Sequence, residues 1–362
     1  MGCRVNIFGD LCLQGIAADF RFPPELESAM AGAYNVVNLE CPVTTATERR
    51  PLQAINLKAE PEAMAVVSRF QAVSLANNHI RDYLDRGCED TLRELSKAKV
   101  AHFGLGRSPG EAIRPLKAEW EGVPLAFVGA SRYANSKHGV WGTAPDNTRL
   151  LLRTVRQCRD EGRFTVVYLH AGYEYVPLPA PRERFLARRC IRAGADLVVM
   201  AHPHVMQGVE TFRGKTIAYS LGNFLFSSEL MNQVSSIPGD ERLFRSFWLE
   251  IDVGPEHEYA VRFHGYRFDD SGWTCFGGEE NEALASAIEA MSKLLRAPTP
   301  YRDYWKAYYR QTTAICGQNR KIREKFQKVS RLPWRDRLRV LTDFNSQDLK
   351  NRLACLVPWL FG

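Results

Sequence analysis

The chain has 362 residues, 45% of them hydrophobic and 25% charged, the proportions of an ordinary globular protein with a sizeable core. That balance excludes a disordered chain, and the longest apolar runs, such as residues 195–201, fall well short of the ~18 residues that span a bilayer. The net charge of +7 is unevenly spread: residues 281–362 hold 16 basic and 7 acidic side chains, so the whole excess lies there.

The sequence opens on a strand pattern at 3–8 that ends at Gly9-Asp10, with no apolar run that reads as a secretion signal. Further strands are predicted at 34–39, 71–76, 124–130, 164–169, 195–201 and 215–220, each a short run of β-branched and other apolar residues. Amphipathic helical patterns fall between them, near 61–69, 85–98, 148–161 and 181–193. Strands separated by helices of this length predict an α/β fold with a largely parallel or mixed sheet. Residues 227–245 are polar and contain Pro238-Gly239-Asp240, which reads as a loop. Residues 246–253 and 259–268 alternate as an antiparallel pair does. A helix is predicted at 283–295, stopped by Pro298 and Pro300, and the rest of the chain is basic, aromatic and helix-like. The predicted division is one domain over 1–275 and a basic helical extension over 276–362.

Nine cysteines are an odd number, widely scattered and without a C-x-x-C pair, so neither a disulfide framework nor a zinc ribbon is expected. Free thiols in apolar surroundings fit a reducing, cytoplasmic setting.

In open α/β sheets, functional groups gather beyond the carboxyl ends of the strands. Five predicted strands here deliver a metal-capable residue at that place. They are Asp10, Glu40, the pair Asn78-His79, His170, and His202 with His204. Four of the eight histidines stand at these ends. Any one of them alone reads as a cap or a structural residue. Together, imidazoles, carboxylates and an amide without thiolates point to a divalent Mn, Fe or Zn centre that is open for catalysis. Six ligands exceed one tetrahedral ion, so two ions bridged by a carboxylate are expected.

The strings that carry these residues resemble a known family. Gly9-Asp10, Asn38-Leu39-Glu40-Cys41-Pro42 and Ser74-Leu75-Ala76-Asn77-Asn78-His79 are similar to the CapA family of poly-γ-glutamate capsule biosynthesis. So are His170-Ala171-Gly172-Tyr173-Glu174-Tyr175, His202-Pro203-His204-Val205-Met206-Gln207 and Tyr219-Ser220-Leu221-Gly222-Asn223-Phe224. The resemblance spans residues 4–270 and leaves out the basic tail. It implies the calcineurin-like metallophosphoesterase superfamily, with a four-layer α/β/β/α sandwich and a two-metal site. Carried over, Asp10, Glu40, Asn78, His170, His202 and His204 are metal ligands, with Glu40 bridging in place of the usual aspartate. His79 acts on the leaving group, and metal-bound hydroxide attacks a phosphoester or an amide. Asp10-Leu11-Cys12 departs from the superfamily's Asp-x-His, and Cys12 reads as a buried structural thiol or as a thiolate substitute.

The resemblance implies a metal-dependent hydrolase or transferase in capsule or cell-surface polymer biosynthesis. Its substrate would be an anionic polymer or a phosphorylated or γ-glutamyl compound. The alternative is a non-catalytic accessory protein of a polymer synthesis or export complex. Glu174 and Asn223 are candidate substrate contacts, with structural roles as the rival reading. Arg182, Arg184, Arg188, Arg189 and Arg192 read as a solvated helix face, or as an anion patch. The basic tail reads as a cap packed on the core or on a second subunit, or as a peripheral contact with the anionic inner face of a membrane. It carries no nucleic-acid motif, so nucleic acid is not an expected partner.

Overall fold

The structure is a computed structural model that describes residues 2–318 apart from 18, 52, 54, 147, 270 and 271. The basic segment at 320–341 and the apolar stretch at 353–362 therefore lie outside the described residues. The chain divides into two compact units, one of residues 1–50 and 56–292 and the other of residues 51–55 and 293–362.

The first unit holds two large sheets. One begins with four strands, β1 (Cys3–Leu11), β2 (Tyr34–Leu39), β3 (Ala72–Ser74) and β4 (Ala101–Phe103). A short ribbon pairs β5 (Leu105–Gly106) with β8 (Gly142–Thr143). The second sheet takes β6 (Leu116–Trp120), β7 (Val123–Ser131), β9 (Phe164–His170), β10 (Leu197–Ala201), β11 (Val209–Phe212) and β12 (Lys215–Ala218). The chain then returns to the first sheet with β13 (Asn223–Leu225), β14 (Arg245–Val253), β15 (Tyr259–Asp269) and β16 (Gly272–Cys275).

The first sheet runs β16-β15-β14-β1-β2-β3-β4, with β13 added in parallel at the end of β1. From β1 to β4 its strands are parallel, while β14, β15 and β16 are antiparallel. The second sheet runs β11-β12-β10-β9-β7-β6, parallel in its middle and antiparallel at both edges. Mixed sheets are thus what the alternation of strand and helix patterns leads to.

Period-two alternation places the core. Val5 and Ile7 of β1, Phe247, Leu249 and Ile251 of β14, Val166 and Tyr168 of β9, and Leu197 and Val199 of β10 join one buried cluster. The two sheets therefore share an apolar interior, and the Tyr168 hydroxyl donates to the Phe8 carbonyl at 2.6 Å, tying β9 to β1. On the far side of β1, Phe8 packs edge-on against Phe70, tilted against Phe224 and stacked on Trp248. The helix Thr148–Asp160 packs on β7 and β9, and the helix Pro181–Ala193 on β10 and β12.

Several elements differ from expectation. The polar stretch after 227 is not all loop: Ser227 caps a helix Ser228–Val234, its hydroxyl accepting from the Leu230 amide. Pro298 does end the preceding helix Gly278–Arg296, but it also opens the next, Pro298–Gln318, at a first-turn position where the missing N–H costs nothing. Leu284 and Ile288 of the earlier helix enter the core of the first unit. The arginines of Pro181–Ala193 are not simply solvated, since Arg184 and Arg188 both pair with the buried Glu210 of β11.

Candidate metal centre

Parallel strands end on the same side, so β1, β2, β3, β9 and β10 bring their following residues together. Asp10 lies within β1, Glu40 directly follows β2, and Asn77, Asn78 and His79 lie in the turn after β3. His170 closes β9, and His202 and His204 lie just past β10. All six proposed ligands and His79 are buried. The structure thus draws the seven together from across the sequence.

The contacts are close. His170 Nε2 stands 2.6 Å from Asn78 Oδ1, 3.1 Å from His202 Nδ1 and 3.3 Å from Glu40 Oε1. His204 Nε2 lies 3.8 Å from the same Glu40 oxygen, and His204 Nδ1 3.7 Å from Asp10 Oδ2. Among the described residues, two trios have ligand atoms within 4.8 Å of one another: Glu40 with His202 and His204, and Asp10 with Glu40 and His170. Glu40 belongs to both.

Three backbone features hold this geometry. His202 and His204 have φ of 99° and 58°, in the left-handed region that non-glycine residues avoid, as does Tyr175 at 63°. Strain of this kind persists where the surroundings enforce it, and it clusters at functional sites. The His202 amide donates to Asp10 Oδ2 at 3.0 Å, so the His202 turn is pinned to β1. Gly9 lets β13 approach: a Cβ there would sit 2.0 Å from the Gly222 carbonyl oxygen, and the next amide, Asp10 N, donates to that same oxygen at 3.1 Å.

Neighbouring side chains orient the ligands. Asn223 accepts at Oδ1 from His204 Nδ1 at 2.8 Å and donates from Nδ2 to the Leu243 carbonyl at 3.0 Å. That bond puts the His204 proton on Nδ1 and turns Nε2 toward Glu40. Both ends of the Asn223 amide are thus committed within the protein. Tyr133 packs its ring 4.6 Å from that of His202 and donates its hydroxyl to the Gly172 carbonyl. Glu174 is partly exposed at the mouth, with Oε1 3.9 Å from His202 Nε2.

Electrostatics separate the roles. Burial pushes the Glu40 carboxyl well above the usual carboxylate range, and the Asp10 carboxylate pushes it further. Burial holds the His170 imidazole neutral, its pKa lowered to about 3. Burial opposes charge on His79 too, but the Asp82 carboxylate 2.6 Å from Nδ1 outweighs it and raises the pKa to about 9. Asp82 also accepts the Leu57 amide at 2.7 Å. Sequence reasoning missed Asp82, although its place three residues after His79 was a usable signal. Burial raises the Cys12 thiol well above its ordinary value, and Cys41 beside it adds to the effect, which keeps the sulfur protonated.

The donor set suits a divalent cation. Both Glu40 carboxylate oxygens are buried with no hydrogen-bond donor, a costly arrangement for an acceptor unless positive charge completes it. Neutral His170 and the convergence of imidazole, carboxylate and amide oxygen are what such an ion requires.

An α/β protein of facing mixed sheets, with buried imidazoles and carboxylates converging at its strand ends, is the class these features define. Residues 18–228 match the family described as Bacterial capsule synthesis protein PGA_cap, and the chain belongs to this CapA family, within the metallophosphoesterase-like superfamily. It is 32% identical over 204 residues to the PGA biosynthesis protein CapA of Bacillus subtilis (strain 168), covering 54% of each chain. It is 31% identical over 205 residues to the Capsule biosynthesis protein CapA of Bacillus anthracis, covering 52% of this chain and 49% of that one. A Mycobacterium tuberculosis protein (strain CDC 1551 / Oshkosh), the Probable polyglutamine synthesis accessory protein MT0602, is 27% identical over 233 residues, 58% of this chain and 59% of its own. The chain thus spans about half the length of the curated relatives it matches. Among the described residues, no helix is long and apolar enough to cross a membrane.

Proposed function

We propose that the chain is a metal-dependent hydrolase or transferase of the CapA type, acting on an anionic or phosphorylated precursor, or a γ-glutamyl one, in capsule or cell-surface polymer synthesis. The observation that carries this reading is Glu40, whose two donor-less buried oxygens face three imidazoles beside Asp10 and Asn78. Asp10, His170, Asn78 and Glu40 would hold one ion, and His202, His204 and Glu40 a second. Bound there, Mn, Fe or Zn supplies Lewis acidity to a phosphoryl or carbonyl oxygen and makes hydroxide available near neutral pH.

The chain's own groups do the rest. His79 carries a proton at neutral pH and gives it to the leaving group, while Asp82 fixes the ring through Nδ1. Asn223 orients His204, and Glu174 at the mouth meets the substrate. The fold that goes with this reading is a four-layer α/β/β/α sandwich. Support comes from the shared interior of the two sheets and from the helices Thr148–Asp160 and Pro181–Ala193 outside the second. A cytoplasmic location and a tail that touches an anionic membrane surface complete the proposal, on composition and charge alone.

Metal analysis of the purified protein, with Mn²⁺-supported turnover of phosphoesters and γ-glutamyl amides, tests the reading. Bound transition metal, with turnover lost in His170→Ala and His202→Ala, is the expected result. Metal-free protein whose activity ignores both substitutions overturns it. The second reading is a polymer-binding accessory protein without turnover. Cys12 favours it, a protonated thiol where the superfamily has an imidazole ligand. Polymer binding that survives His170→Ala, in protein that turns nothing over, would establish it.

A further inference from the structure

Two buried carboxamides that belong to neither ligand set link the parts of the centre. Asn77 Oδ1 accepts the amides of His79 and Ile80 at 3.1 and 2.9 Å, which shapes the turn that presents His79. Asn77 Nδ2 donates to the Leu39 carbonyl at 2.7 Å and to Asn38 Oδ1 at 3.2 Å. Because Asn38 Oδ1 is the acceptor in that bond, its Nδ2 must point the other way. There it donates to Asp10 Oδ1 at 2.8 Å and faces His170 Nδ1 at 3.4 Å. Asn38, Asn77, Asp10 and His170 are all fully buried, so no solvent competes for these bonds.

We propose that Asn38 is a positioning residue of the metal centre, its amide aiming the Asp10 carboxylate into the cation pocket that Asp10 shares with Glu40 and His170. The proposal rests on the metal reading above. Asp10 is held at both oxygens, by Asn38 on one and the His202 amide on the other. Removing the Asn38 donor frees one of those oxygens to turn away from Glu40. A buried amide within a fully buried strand is otherwise a cost, and β2 has a second one that serves as a comparison. Asn35 is equally buried but bonds to the Met30 and Ala33 carbonyls and to Gln71, away from the centre.

The test uses Co²⁺ as the probe, with calorimetric affinity and the visible ligand-field spectrum as readouts on the full chain. Asn38→Leu keeps the branching and removes the donor. It is expected to weaken Co²⁺ binding about 10- to 100-fold, as loss of a ligand-orienting bond does, and to alter the spectrum. Asn35→Leu is expected to lower the melting temperature while leaving affinity and spectrum as in the parent. Asn38→Ser, which retains a hydroxyl donor and replaces Asn38→Leu should that variant not fold, is expected to restore part of the affinity. Parental affinity and spectrum in the Asn38 variants overturn the proposal, as does an equal loss in Asn35→Leu, which would trace the effect to stability. A parent chain that binds no Co²⁺ overturns the metal reading itself, and this proposal with it.

Discussion

Replacing Glu210 by Gln tests how the loops around the centre are anchored. Glu210 lies in β11 and is only 6% exposed, with the Arg184 and Arg188 guanidinium groups of Pro181–Ala193 and the Tyr219 hydroxyl all donating to it. That helix follows the loop of Glu174, and β11 follows the His202–His204 turn, so the clamp ties the two. Burial works against the Glu210 carboxylate, but the two arginines and Tyr219 outweigh it and lower the pKa from 4.5 to about 2. Each pKa unit corresponds to about 1.4 kcal/mol, which sets a ceiling of about 3 kcal/mol on the contribution of the charge. Arg188 is 31% exposed, so water screens part of this, and a loss of about 2 kcal/mol is expected for Glu210→Gln at neutral pH. Because the folded carboxyl is the stronger acid, the stabilisation is complete above about pH 4.5 and fades as the pH falls toward about 2. Urea unfolding of parent and variant from pH 7 down to 2.5 measures it. A difference that is negligible at pH 7, or unchanged between pH 7 and 2.5, would refute the reasoning.

Three further outcomes are expected from the same geometry. Gly9→Ala drives a Cβ to 2.0 Å from a backbone oxygen that cannot move aside, so it should cost about 3 kcal/mol in a urea titration; an unchanged midpoint would contradict the close approach of β13 to β1. Asp82→Asn should lower turnover at pH 7 about 10-fold or more with metal content unaltered, and equal turnover would show that His79 needs no carboxylate partner. Cys12→Ala should leave metal content and the Co²⁺ spectrum as they are, because its thiol is held protonated, and a lost sulfur-to-metal band would make Cys12 a ligand.

Much of the fold was readable because its strands are short β-branched runs and its helices are strongly amphipathic. The pattern at 181–193 is the helix observed, and the antiparallel pair at 246–253 and 259–268 lies within β14 and β15. The strands that escaped notice have weak signals: β6 alternates half-exposed and exposed residues at a sheet edge, and β4 spans only Ala101–Phe103. The first helix, Pro24–Met30, is two turns long and has no side-chain cap. At the site, the chemistry-bearing residues could be named from their places after strands. Their partners could not. The bond from Asn38 to Asp10 joins residues 28 apart, and that from Asn77 to Asn38 joins residues 39 apart, which only the strand register brings into contact. Asn223 was legible as conspicuous, but its bond to His204 depends on β13 docking beside β1. The arginines of Pro181–Ala193 looked solvated because Glu210, their partner, lies on a hairpin that follows a different strand.

The convergence of Asp10, Glu40, Asn78, His170, His202 and His204 on a cation is tested most directly by anomalous diffraction from crystals grown with Mn²⁺. Anomalous density at about 2.0–2.3 Å from Glu40 and from the imidazole nitrogens facing it is the predicted result. Well-ordered crystals with no anomalous density within bonding distance of Glu40, its oxygens instead bonded to protein donors, would contradict it.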